Sequence, residues 1–225
     1  MVTGSNGSGP GAPRPRVGVL ALQGDFARHA AAWARAGVAT REVRGAADLA
    51  GLHALSLPGG ESTTMLRLLG VTGFRAAFGE ALARLPVFAT CAGAILLGRE
   101  AERLPAAPFG LIDAAVARNA YGTQIDSFEA DVDAPVLGAG ASFRGVFIRA
   151  PRFLRIGPGV EVVARHGGEV VAVRQGPRVA FAFHPELTDD LRFHRWFLDA
   201  VVAPARAAAL PPATAERNDP AGRTA

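Results

Sequence analysis

In the first half of the chain, short unbroken apolar runs alternate with segments whose apolar residues recur at helical spacing. Val17–Leu22 (VGVLAL) is apolar throughout, as expected of a strand covered on both faces. Phe26, Ala30, Trp33 and Ala34 then stand at i, i+4, i+7 and i+8, which predicts a helix that Gly37 ends. Ala39–Val43 and Ala54–Leu57 read as the second and third strands, the latter running into Pro58-Gly59-Gly60. Helices are expected near Ser62–Leu69 and Gly73–Leu85, followed by a strand at Pro86–Thr90 (PVFAT). Cys91-Ala92-Gly93 then opens another helix. Strands alternating with helices predict an α/β fold, with a doubly wound, mostly parallel sheet flanked by helices.

After about Leu104 the rhythm changes. Ala114–Arg118, Phe128–Asp133, Gly145–Arg149, Val160–Arg165, Val170–Arg174 and Val179–Phe183 are strand-like with little helix between them, and predict antiparallel strands added at an edge. A last helix is expected from about Asp190 to Val202, with Phe193, Phe197, Ala200 and Val201 on one stripe. The ends differ from the middle. Residues 1–15 and 204–225 are rich in Pro, Gly, Ala and polar residues and are expected to be disordered tails around one domain at 16–203.

Composition narrows the picture. The chain has 225 residues, 49% hydrophobic and 20% charged, which suits one globular domain. All 24 basic residues are arginine, so the pI is 10.7 beside a net charge of only +4. The arginines are scattered among acids, with no basic run interleaved with aromatics, so nucleic acid is not expected as a partner. No apolar run is long enough to span a bilayer, and the N-terminal stretch has no signal-peptide apolar core. One cysteine excludes an intrachain disulfide and suggests a reducing, cytoplasmic setting.

Three places carry candidate chemistry. In Phe88-Ala89-Thr90-Cys91-Ala92-Gly93 an apolar strand ends, a nucleophilic residue sits in the turn, and small residues flank it before a helix. Such a nucleophile elbow forces strained backbone geometry and places the thiol at a helix N-terminus, where N–H groups favour thiolate and that of Ala92 can meet an oxyanion. A lone cysteine elsewhere would read as a small buried apolar residue. His184 follows the apolar run Val179–Phe183 and precedes Pro185-Glu186, so an imidazole and a carboxylate meet at the sheet's C-terminal edge. The bland alternative is a loop histidine beside a solvated glutamate. His29 and His194 fall in helices, and His53 and His166 near turns, with no comparable acid adjacent in sequence. Leu57-Pro58-Gly59-Gly60-Glu61-Ser62 can bring backbone N–H groups close to a ligand oxygen, although taken alone it reads as a plain turn. No Cys/His cluster suggests a metal.

The runs ALQGD (21–25), LPGGESTTM (57–65), TCAG (90–93), RNAYG (118–122), QIDSFEA (124–130), GVFIRAP (145–151) and FHPELT (183–188) stand in this order. Together they resemble the PdxT/SNO family, the glutaminase subunit of pyridoxal 5′-phosphate synthase, over about Val17 to Val202. The resemblance implies a class I glutamine amidotransferase, flavodoxin-like in fold, that needs no cofactor. It implies Cys91 as nucleophile with His184 and Glu186, a glutamine site lined by Gly60, Glu61 and Ser62, and Arg118, Ile148 and Arg149 at the substrate's amino-acid end. It further implies an oxyanion hole from the Gly59–Gly60 turn and Ala92, with Gln23 nearby at the partner-facing surface. An arginine among 24 is by default a solvated side chain, and Gln23 also reads as a polar residue closing a strand. The family's substrate is L-glutamine and its partner a (β/α)₈-barrel synthase. The elbow departs from the family pattern in beginning with Ala89 where glycine is usual, which predicts slight crowding. A glutaminase serving another pathway, or a non-catalytic module with a redox cysteine, are the other readings.

Overall fold

The computed structural model describes residues 14–118 and 127–209. The ends of the expected tails (residues 1–13 and 210–225), most of the RNAYG run and the first part of QIDSFEA lie outside the described residues.

Strands β1 (Arg16–Leu20), β2 (Ala39–Val43), β3 (Ala54–Leu57) and β4 (Val87–Thr90) pair in parallel in the order β2-β1-β3-β4. α1 (Phe26–Arg35) links β1 to β2, α2 (Ser62–Val71) and α3 (Arg75–Arg84) link β3 to β4, α4 (Ala92–Leu97) follows β4, and a 3₁₀ turn (Ala46–Leu49) lies between β2 and β3. Long connections between parallel neighbours require such crossovers. Every residue of β3 and β4 is buried, as the unbroken apolar runs predict.

The second half is richer in strands than the sequence reading has it. After β5 (Gly98–Glu100) come β6 (Ile112–Ala117), β7 (Ser127–Asp133), β8 (Ser142–Ile148), β9 (Arg152–Ile156), β10 (Glu161–His166), β11 (Glu169–Gln175) and β12 (Arg178–Phe181). β12 pairs in parallel with β4, and β11, β10, β7 and β8 continue the sheet antiparallel, giving nine strands. The antiparallel edge is therefore present, and it accounts for half of the strand pairings rather than a minor part. The strand expected at Ala114–Arg118 does not join that edge. As β6 it lies in a separate three-stranded sheet with β5 and β9, two strands the sequence reading omits. β5 is only three residues long and follows α4 without a loop, and β9, set off from β8 by Arg149, Ala150 and Pro151, carries Arg152 and Arg155 among its apolar residues, so neither has a clear strand pattern to announce it.

Side-chain alternation on β3 and β4 sorts the core into two faces. Leu55, Leu57, Val87 and Ala89 point toward α3 and α4, with Phe78, Leu82 and Leu97. Ala54 and Phe88 point the other way, toward Trp33 of α1 and Phe193 and Phe197 of α5 (Arg192–Phe197). Trp33, Phe88, Phe181, Phe193 and Phe197 are fully buried, and Trp33 meets Phe88 edge to face at 5.1 Å. Each such ring contributes about 2–3 kcal/mol by burial.

The last helix does not stop at Val202. A π-helical turn (Leu198–Val202) leads into α6 (Ala203–Ala209), so the first residues expected in the C-terminal tail are helical. Pro204 stands in the first turn of α6, just after the wider π turn, where its missing N–H is tolerated, and the alanines around it favour helix. No helix among the described residues is long and apolar enough to cross a membrane.

Candidate active site

One register places the main groups. β12 and β4 pair with Phe181 opposite Thr90, and the Cys91 N–H donates to the Phe181 carbonyl at 2.8 Å. Cys91 thus leaves the tip of β4 beside the tip of β12, from which His184 follows three residues later. The His184 N–H donates to Val146 of β8 at 2.8 Å, which anchors the loop.

Cys91 has φ 48° and ψ −106°, the strained bend expected of an elbow, and α4 begins at the next residue. The amides of Ala92 and Gly93, in the first helical turn, have no acceptor within the helix. Gly93 is required there: a Cβ would come within 2.5 Å of the Leu57 carbonyl oxygen and 2.8 Å of its Cβ. Ala89 is fully buried in β4 opposite Leu57 and Ala180, and its methyl joins the apolar face rather than the site.

His184 Nδ1 lies 2.7 Å from Glu186 Oε1, and both side chains are almost wholly buried. Nε2, the free end of the ring, has no hydrogen-bond partner among the described residues. Cys91 and His184 close over the same glycine. A Cβ at Gly59 would collide with the His184 ring and lie 3.2 Å from the Cys91 Cβ. The thiol lies 3.8 Å from the carbonyl oxygen of Ile148. Burial alone would lower the His184 pKa; the Glu186 carboxylate, and then Cys91, reverse this and raise it above its ordinary value. For Glu186, burial alone would raise the pKa. The charges of His29 and His184, with hydrogen bonds from both rings, hold it well below the usual carboxylate range.

His29 is the residue the sequence reading sets aside. It is fully buried on α1, with Nδ1 2.9 Å from Ser56 Oγ and Nε2 3.1 Å from both Thr90 Oγ1 and Glu186 Oε1. Its acid comes from 157 positions away, so adjacency in sequence misses it. Two signals were available: His29 falls at i+3 on the stripe of Phe26, Ala30 and Trp33, and Ser56 and Thr90 are lone hydroxyls in wholly apolar strands.

The remaining expected residues ring the mouth. Gly60, at φ 141°, is the third residue after β3, and Ser62 is buried in the first turn of α2. The Gln23 Oε1 accepts from the Glu61 N–H at 2.8 Å, so Gln23 braces the glycine turn. The Glu61 carboxylate lies 4.0 Å from Arg118 Nη2 and 3.9 Å from Arg149 Nη1. Arg118 also donates to the carbonyl of Arg103 at 2.9 Å. Three non-glycine residues among those described have positive φ: Cys91, Arg103 and Arg149. All three serve this one mouth, where strain is most often tolerated. The arrangement offers a thiol, a buried base and acid, exposed amides and a ring of charge able to grip an amino acid. Among the described residues, no group of three or more Cys, His, Asp or Glu is placed to hold a metal ion.

Known proteins resemble the chain in sequence and in fold. The sequence model of the SNO glutamine amidotransferase family matches residues 19–203. The chain is 53% identical over 186 residues to the Thermus thermophilus protein named pyridoxal 5′-phosphate synthase subunit PdxT, covering 81% of this chain and 96% of that one. It is 50% identical over 204 residues to a protein of the same name from Acidothermus cellulolyticus, covering 86% and 97%. A crystal structure described as a glutamine amidotransferase superposes with a TM-score of 0.76 at 50% identity, covering 82% and 98%. The structure of PurLQS from Thermotoga maritima superposes with a TM-score of 0.64 at 16% identity, covering 84% and 99%, a likeness of fold alone. With the model matching most of its length and relatives at half identity, the chain belongs to the SNO glutamine amidotransferase family.

Proposed function

We propose that this chain is the glutaminase subunit of a cytoplasmic pyridoxal 5′-phosphate synthase. It hydrolyses L-glutamine to L-glutamate and ammonia and hands the ammonia to a (β/α)₈-barrel synthase subunit. The observation that carries the reading is the cysteine at a strained elbow beside a buried His184–Glu186 pair, in a chain half identical to proteins named as that synthase's PdxT subunit.

Cys91 supplies the nucleophile and His184 takes its proton, an exchange favoured by the Glu186 charge behind the ring. The sulfur attacks the side-chain carbonyl carbon of glutamine. Amides of the Gly59–Gly60 turn and Ala92 stabilise the oxyanion. His184 then protonates the departing nitrogen, which leaves as ammonia, and a γ-glutamyl thioester remains on the sulfur. Water, deprotonated by His184, cleaves the thioester to release glutamate and restore the thiol. Arg118 and Arg149 suit the substrate's α-carboxylate, and Glu61 between them suits its α-ammonium. Gly60 and Ser62 line the approach, with Ile148 over the sulfur.

Ammonia release from glutamine, with and without the barrel synthase, tests the reading. Release that is weak alone and rises on docking is expected, and Cys91→Ala abolishes it while the circular dichroism spectrum stays unchanged. Full turnover by Cys91→Ala would overturn the assignment.

A further inference from the structure

The buried chain of polar groups does not end at Glu186. His29 Nε2 and His184 Nδ1 both reach the same carboxylate oxygen, Oε1, at 3.1 and 2.7 Å. The Thr90 hydroxyl donates to that oxygen at 3.3 Å, whereas Oε2 has no partner among the described residues. All of Glu186's described hydrogen bonding is therefore gathered on one oxygen, and two of its donors come from outside its own loop. His29 is itself held at both ends. A carboxylate only accepts, so the proton is on Nε2, and Nδ1 faces the Ser56 hydroxyl at 2.9 Å. Ser56 and Thr90 come from adjacent strands β3 and β4, on the face that packs against α1, so the pair of hydroxyls fixes the ring from the rigid centre of the sheet.

We infer that His29 is a positioning residue for the hydrolysis of glutamine. It turns and holds the Glu186 carboxylate from behind, and through it sets the orientation and charge of His184 against Cys91. A proton-bearing nitrogen at the end of a fully buried helix residue is needed for this; bulk is not. Other titratable or charged groups face the cluster: His184 beside Glu186, Cys91 at the tip of β4, His194 on α5 packed near His29, and, farther out, Arg35 of α1 and Asp190 before α5.

The inference rests on the glutaminase reading for its kinetic half, and a second measurement frees it from that reading. Cys91 is the one cysteine of the chain, so iodoacetamide reports on its thiolate alone. The full-length chain is compared as wild type, His29→Leu, His29→Gln and Ser56→Ala, in alkylation rate against pH and in kcat and KM for glutamine with the synthase present. His29→Leu is expected to shift the alkylation profile to higher pH. It should also lower kcat about ten- to a hundredfold, the usual cost of losing a group that orients a functional histidine, with KM within about twofold. Glutamine places an N–H near the position of the lost Nε2, so His29→Gln recovers most of both. Ser56→Ala, which frees the ring without emptying its site, gives a smaller shift of the same sign. Folded His29→Leu with wild-type kcat and alkylation profile overturns the inference, as does His29→Gln no better than His29→Leu. If His29→Leu does not fold, an unshifted profile in both other variants overturns it. A shifted profile in a chain that releases no ammonia would sink the glutaminase reading and leave standing only the control of the thiol by His29 through Glu186 and His184.

Discussion

Glu186 lies two residues beyond His184, yet its Oε1 turns back to within 2.7 Å of the His184 Nδ1. The intervening Pro185 opens a 3₁₀ turn (Pro185–Leu187), and its fixed φ leaves the loop few ways to run. A local turn thus supplies base and acid together, and the sheet needs only to bring them to the thiol.

Replacing Glu186 by Gln keeps the shape of the side chain and removes its charge. The imidazolium formed when His184 takes the Cys91 proton then has no counter-charge in a buried site. Turnover is expected to fall about a hundredfold to ten-thousandfold, by analogy with the loss of the carboxylate in serine-protease triads. Steady-state ammonia release decides it; a loss under tenfold would remove Glu186 from the machinery.

Gly59 has no room for a methyl group, because a Cβ would run into the His184 ring. Gly59→Ala should displace the imidazole from the thiol and cut kcat at least about a hundredfold, since small misplacements at a reacting centre are that costly. Chemical denaturation would show a fold weakened far less than the activity. Wild-type kcat in this variant would mean that His184 does not need its present position.

Arg103 sits at φ 56° so that its carbonyl can accept from Arg118. Glycine adopts this conformation freely, and Arg103→Gly should leave stability unchanged or raise it by up to about 1 kcal/mol, with KM for glutamine near wild type. Arg103→Val, whose branched side chain resists positive φ, should lose about 1 kcal/mol or more and raise KM through the misplaced Arg118. Equal melting temperatures and KM values for the two variants would contradict the role given to the turn.

His194 has both ring nitrogens buried without a partner among the described residues, stacked on Phe88 at 5.0 Å and edge-on to Trp33 at 4.7 Å. Burial, helped by the nearby His29, pulls its pKa down to about 4. An unfolded histidine titrates near 6.5, so between these values the unfolded chain binds a proton that the folded one refuses. Stability therefore rises with pH through that window, by roughly 3 kcal/mol in all. His194→Leu should flatten the slope of melting temperature between pH 5 and 6.5, a range above that in which Glu186 loses its charge. Parallel slopes in the two proteins would refute the assignment.

Much of this was legible in the sequence. Continuous apolar runs announced β1, β3 and β4, and small residues around Cys91 announced the elbow, because both are local demands of covering a strand or bending a chain. His184 and Glu186 were legible for the same reason. His29 was not, since its partners lie on two strands and a distant turn, and only the packing of α1 on the sheet unites them. The three-stranded sheet escaped for a related reason. β5 and β9 are short and partly charged, so pairing with β6 rather than intrinsic pattern makes them strands.

The pairing of β12 with β4 has a consequence for the order of events during synthesis. Translation delivers the sulfur-bearing turn with more than half of the chain still to come, whereas the imidazole arrives only with the final strand of the sheet. A ribosome-bound or prematurely ended polypeptide lacking β12 carries a thiol without its base. Ammonia production begins only when the sheet is closed, so an incomplete molecule does not waste the cell's amide nitrogen.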